Sequence, residues 1–330
     1  MKGPFEGLFY RRRATILSSD QWGWSAVKPT GEHTMPSIFR KFVRFVAVFA
    51  VAAFGSPVGA APEAELWERW TAHDPAATAT IDHGRWERFV KTYVTASPDG
   101  VNRLAYSRVS AADRAALEGY IDGLAALEIS RYGRDEQFAY WINLYNALTI
   151  AVVLDRYPVK SILDIAISPG LFAIGPWGKK LITVEGEALS LDDIEHRILR
   201  PIWRDPRIHY AVNCAAIGCP NLATMAFTGA NAEDMLTRAA YDYVNNPRGA
   251  ELRNGRLVVS SIYEWYKADF GDSDAGVIRH LRQYAEPELA SALEGVTRIA
   301  DDDYDWALNE AERPAAVATA RRKGSLGGDR

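Results

Sequence analysis

Cysteine is scarce: Cys214 and Cys219 are the two among 330 residues. That excludes a disulfide-dense scaffold, which compensates for a small core with many bridges. No uninterrupted apolar run reaches about 18 residues, which excludes a polytopic membrane protein. The cysteines are not a C-x-x-C pair and no second Cys/His cluster follows, so no metal site is expected. A Gly-rich phosphate loop and a nucleophile elbow are both missing, and no cofactor is expected. Basic charge is also short, with 38 Lys and Arg against 42 Asp and Glu. Without a basic stripe, nucleic acid and anionic membranes are poor partners. What remains is ordinary globular material, 48% hydrophobic and 24% charged, long enough for a sizeable core.

The N-terminal region reads as a targeting segment. Arg40, Lys41 and Arg44 precede the apolar run 45–54, and small residues follow at Val58, Gly59, Ala60 and Ala61. A basic start, a short apolar core and small residues at a cleavage point make a secretory signal. The expected organisation is a disordered start-site extension over 1–34 and a signal peptide over 35–61, cleaved near Ala60 or Ala61. A single α+β domain then covers 62–313, and a disordered tail covers 314–330. Losing residues 1–61 removes eight basic and three acidic residues, which leaves 30 against 39 and a net charge of −9. The exported chain would be periplasmic or secreted, with no membrane span after cleavage. Two neighbouring thiols in an oxidising compartment either pair or stay reactive.

Helical spacing dominates the first half. Trp86, Phe89, Val90 and Tyr93 share one helical face from about Asp82. Ser110 with Asp113 marks a helix start that runs to about Glu128. The stretch 137–154 is apolar nearly all round and predicts a covered central helix. A loop spans about 168–178, and 181–184 reads as a strand before the turn Glu185-Gly186-Glu187. Ser190 with Asp193 caps a helix through Leu199. Residues 208–212 read as a strand leading into the cysteines, 232–244 as a helix, 256–259 as a strand and 296–300 as a last strand. The fold class is α+β, a helix-rich N-terminal half with a small, mostly antiparallel sheet in the C-terminal half.

Three groups of residues can carry chemistry. Cys214, just past the 208–212 strand, is placed to act as an activated thiol; the alternatives are an inert thiol or a local disulfide with Cys219. Glu195 and His196 sit side by side on the helix after Ser190. Neighbouring helical side chains point about 100° apart, so the two do not pair directly. His196 offers a base, while Glu195 orients another segment or meets Arg197 or Arg200; the alternative is a solvated helix face with charges of both signs. Asn143 and Asn146, three apart on the apolar helix, need hydrogen-bond partners. They either form an oxyanion-type donor set or tie the helix to a loop's backbone. His209 lies five positions before Cys214 and is either a second base or a core histidine. The aromatic-acidic stretch 303–306 either rims the site or docks the C-terminus.

The residues Phe138-Ala139-Tyr140-Trp141-Ile142-Asn143-Leu144-Tyr145-Asn146-Ala147-Leu148-Thr149 resemble a helix signature of the domain of unknown function 547 family. So do Leu189-Ser190-Leu191-Asp192-Asp193-Ile194-Glu195-His196, the stretch from His209 through Asn213-Cys214 to Cys219-Pro220, and Tyr304-Asp305-Trp306-Ala307-Leu308-Asn309. The four stretches come in the family's order, over roughly 80–310. The family has no established activity. It is similar, in strand order and polar content, to papain- and transglutaminase-like thiol enzymes. That similarity implies Cys214 as nucleophile, His196 or His209 as base, Glu195 to orient, and Asn143 or Asn146 to stabilise or orient. Relatives often keep the position of Cys214 while some lose that of Cys219. Papain-like enzymes place cysteine before histidine in the chain, whereas His196 comes first here, so a common triad requires a permuted fold. The implied function is an exported thiol-dependent acyl-transfer or amide-hydrolase-type enzyme on an unknown small-molecule or peptide substrate. The alternative is a non-catalytic periplasmic binding or scaffold module with a Cys214–Cys219 disulfide.

Overall fold

A computed structural model describes residues 62–170 and 174–311. The expectations for 1–34, 35–61 and 314–330 lie outside the described residues. The described chain begins with a 3-10 turn, Glu68–Thr71, followed by helix α1 (Gly84–Tyr93), which buries Trp86, Phe89, Val90 and Tyr93 as their spacing predicts. Strands β1 (Val94–Ala96) and β2 (Asn102–Leu104) then form a small antiparallel hairpin. Helix α2 (Ala111–Ala125) starts where Ser110 Oγ accepts the Asp113 N–H.

Helix α3 (Arg134–Arg156) is the centre of the larger core. It is buried on nearly every face, because its apolar residues do not leave a polar stripe for water. Among the described residues it alone is long and apolar enough to cross a membrane, yet its apolar window is almost wholly covered by protein. Strands β3 (Ile182–Val184) and β4 (Glu187–Leu189) form a second hairpin. Both of its turn residues, Glu185 and Gly186, have positive φ, which suits the twist of a tight hairpin.

A π-helical run, Asp193–Leu199, continues into an α-helical turn, Arg200–Trp203, and the two together are α4. Its wider winding shows in the Arg200 N–H, which reaches back five residues to the Glu195 carbonyl. Helix α5 (Ile208–Ala211) follows, where the sequence predicts a strand. A five-residue apolar run fits a buried strand or a buried helical turn equally well, and packing decides. Ile208 and Ala211 join the larger core, while Tyr210 joins a second one.

That second core gathers helix α6 (Ala232–Val244), strands β5 (Ala250–Arg253) and β6 (Arg256–Ser260), helix α7 (Ile262–Trp265), the 3-10 turn Lys267–Phe270, and helix α8 (Asp274–Tyr284). Helix α9 (Pro287–Ala292) and strand β7 (Asp301–Asp303) close the described chain. The last strand lies past the predicted 296–300. Its side chains are exposed, so backbone pairing rather than an apolar pattern defines it. The three-stranded sheet has order β5-β6-β7, antiparallel between β5 and β6 and parallel between β6 and β7. The α+β class holds. Two details of the expectation change: β1 and β2 lie in the helical half, and the largest sheet is mixed.

Candidate functional site

The site forms where the two cores meet, around α5 and the loop after it. Asn146 on α3 fixes the loop's entry. Its amide Nδ2 donates to the Ala211 carbonyl at 2.9 Å, and its Oδ1 accepts the Asn213 N–H at 2.8 Å. Asn213 then folds the loop on itself, accepting the Ala215 N–H at 2.8 Å and donating to the Pro220 carbonyl at 2.6 Å. From the other side the C-terminal segment pairs with the loop. The Ile217 and Gly218 N–H groups donate to the Ala307 and Asp305 carbonyls, both at 2.8 Å. Gly218 is required here, because a Cβ would stand 2.8 Å from the Asp305 nitrogen.

This scaffold brings the two cysteines together as free thiols, Cys219 buried and Cys214 half-buried. The Cys214 N–H points at Cys219 Sγ, 2.8 Å away, and Cys214 Sγ is 3.0 Å from the Tyr304 hydroxyl. Burial raises the Cys219 thiol, but hydrogen bonds from Cys214 and Tyr304 outweigh it and bring it below its ordinary value. Cys214 is raised, by burial and then by its neighbour Cys219. The pair therefore gives up one proton readily and holds the second. Tyr304 is itself pushed well up by burial and by Cys214, so it stays a hydroxyl donor.

The second group is a carboxylate–histidine cluster. His209 Nε2 lies 2.7 Å from Asp269 Oδ2, and the same oxygen accepts Arg200 Nε–H at 2.6 Å. Burial raises the Asp269 carboxyl, but His209 and Arg200 hold it down at about 2. An ionised Asp269 makes His209 Nε2 the N–H donor. His209 Nδ1 lies 3.7 Å from Glu195 Oε1. The ring stacks on Tyr266 at 4.1 Å. Burial likewise raises Glu195, but His196, His209 and a hydrogen bond from Tyr145 hold it at about 2.

His196 takes a different part. Arg200 Nη1 donates to its Nδ1 at 3.0 Å; a guanidinium can only donate. That fixes the neutral ring with its proton on Nε2, which faces Asp192 at 3.7 Å. Burial pushes His196 down to about 4 despite the pull of Glu195. At neutral pH it is a hydrogen-bond donor rather than a base. Asp192 is pushed up to about 6 by burial and by Glu195 and Asp193.

The sequence-predicted residues therefore divide. Cys214 and Cys219 come together; Glu195, His209 and His196 form the adjoining cluster. Among the described residues no hydrogen bond joins either sulfur to a histidine. The two groups share Tyr145 and Tyr266, whose hydroxyls are pushed well up by burial first, then by Glu195 and by the cysteines. The Asn143 and Asn146 amides are spent on backbone. Asn143 bonds both the Phe227 carbonyl and the Phe227 N–H, so the tie to a loop is what the structure contains. Glu195 meets neither Arg197, which pairs with Asp193, nor Arg200, which pairs with Asp269. Sequence reasoning missed Asp269, Arg200, Tyr145, Tyr266 and, as a thiol partner, Tyr304. Asp269 lies 60 positions after His209, and no local pattern marks it. Among the described residues no His/Cys/Asp/Glu group is disposed to hold a metal ion.

The fold and site together define an α+β protein with a thiol pair beside a carboxylate–histidine cluster. Residues 129–244 match the model of the family described as Protein of unknown function, DUF547. That span holds α3 through α6 and both cysteines, and the resemblance read from the sequence holds there. No curated protein and no solved structure matches the chain.

Proposed function

We propose that this chain is an exported thiol-dependent enzyme of acyl-transfer or amide-hydrolase type, papain- or transglutaminase-like in its chemistry. The observation that carries the reading is the thiol pair, whose first proton is released early and whose outer sulfur, Cys214, is the more open to approach. Cys219, the earlier thiolate of the pair, takes the Cys214 proton as Cys214 Sγ attacks the acyl carbon of the substrate and forms a thioester, and then passes that proton to the leaving group. Water or an acceptor amine then releases the acyl group and restores the thiol. His209, held by Asp269, supplies the imidazole lone pair that accepts the proton of that water or amine. Glu195 stays ionised and stabilises the resulting imidazolium.

The test is to incubate the protein with a panel of small thioesters and to look for an acyl adduct by mass spectrometry. The expected result is an adduct on Cys214, absent from Cys214→Ser. His209→Gln should slow turnover by about 10²–10⁴, with Asp269→Asn acting in the same direction. An adduct distributed over surface lysines, unchanged in Cys214→Ser, would sink the reading. Export is checked by sequencing the N-terminus of the protein recovered from the producing cell; retention of residues 35–61 would remove that part.

A second reading is a non-catalytic binding or scaffold module in which the cysteines form a disulfide. It is favoured by the mutual contact of the sulfurs and by the lack of a thiol–histidine hydrogen bond. Intact mass measured without reductant separates the two readings: loss of both thiol hydrogens in every molecule supports the module.

A further inference from the structure

A pocket of about 380 Å³ lies beside Asp269, lined by Ala64, Leu66, Arg200, Pro201, Arg204, Asp205, Ala268 and Asp269. Its charges do not cancel. Asp269 is already neutralised by Arg200 Nε and His209 Nε2. Asp205 is bound by the guanidinium of Arg207 at 2.6 Å. Arg204, by contrast, makes no ion pair among the described residues; its Nε reaches only the Pro201 carbonyl, at 3.4 Å. Arg200 is 6% exposed. Its Nε and Nη1 are spent on Asp269, the Pro62 carbonyl and His196, whereas Nη2 has no partner among the described residues.

The Arg200 side chain is almost wholly covered, yet Nη2 is not one of the sealed partnerless atoms, so this donor stays within reach of a ligand. Here it shares a pocket with a second, unpaired guanidinium. We propose that the pocket is a binding site for a carboxylate ligand, held between Arg200 Nη2 and the Arg204 guanidinium, with a small apolar substituent against Ala64, Leu66, Pro201 and Ala268. Arginine forks suit planar carboxylates and phosphates alike. The apolar wall of Ala64, Leu66, Pro201 and Ala268 has nothing to offer inorganic phosphate. It points to a carboxylate with an apolar substituent, such as the end of a peptide or an N-acyl amino acid.

Isothermal titration calorimetry on the full chain tests this without reference to any activity, so it fails or succeeds independently of the thiol reading. The probes are N-acetylalanine, its neutral amide and inorganic phosphate. N-acetylalanine should bind saturably and the amide should not. Arg204→Gln, an exposed change that leaves the core untouched, should weaken N-acetylalanine by about tenfold to a hundredfold. Equal binding of acid and amide, preference for phosphate, or unchanged affinity in Arg204→Gln would each overturn the proposal.

Discussion

Asn146 shows how much of the site depends on one amide. Both halves of its side chain are used, one on each side of the entry to the cysteine loop, and the residue is buried. Asn146→Ala strands a buried carbonyl and a buried N–H, so it should cost about 1–3 kcal/mol. Urea denaturation should show a lower midpoint with an unchanged slope. Asn146→Asp should cost more, since a carboxylate would face the Ala211 carbonyl. Tyr304 governs the thiols in a different way. Its hydroxyl lowers both sulfurs, so Tyr304→Phe should move the first thiol ionisation to higher pH in an ultraviolet thiolate titration. At this scale the sequence was legible where a residue type clashed with its surroundings. Two amides within an apolar helix, or two cysteines in a chain with no others, are visible before any folding. Asp269 was not, because aspartate is ordinary in its own segment; Tyr304 was legible only within a stretch that could rim the site, and the tertiary fold alone brings the two to His209 and Cys214.

Elements show the same division. Helix α3 and the start of α4 were readable from periodicity and capping. Ser190 Oγ accepts the Asp193 N–H at 3.2 Å and donates to its carboxylate at 2.6 Å, and Lys180 pairs with the same carboxylate. Ser190→Ala should therefore cost about 0.5–2 kcal/mol, seen as a lower thermal midpoint. The effect should exceed that of the matching exposed change Ser110→Ala, because Asp193 is buried and Asp113 is not. The π-helical winding of α4 was invisible, since α- and π-helical spacings differ too little for a pattern of seven residues to separate them. Helix α5 misled for another reason. Its apolar residues face two cores, so they carry no clear period.

Over the whole molecule, three buried histidines set the acid limit. His83, His196 and His280 are each pushed down to about 4, mainly by burial. The unfolded chain binds their protons near pH 6.5, whereas the folded one does not until about 4. Their contribution is complete above pH 6.5 and is lost as pH falls towards 4. The loss is up to about 1.4 kcal/mol per pH unit for each histidine. Asp192 works in the opposite sense, since its raised carboxyl takes up a proton in the folded state first. Its side chain is 38% exposed, so it offsets only part of the loss. Thermal midpoints between pH 7 and 4.5 should fall steeply, and His280→Gln should flatten the curve.

The central claim is that the Cys214–Cys219 pair stays reduced and that Cys219, rather than Cys214, carries its first thiolate. Iodoacetamide labelling across pH 5–10, with the modified residue located by mass spectrometry, tests it most directly. The account predicts an early thiolate on Cys219 and labelling of Cys214 with a midpoint above that of a free thiol, a midpoint that falls in Cys219→Ser. Labelling that follows an ordinary thiol midpoint, unchanged in Cys219→Ser, or no labelling because both sulfurs are already bonded, would contradict it.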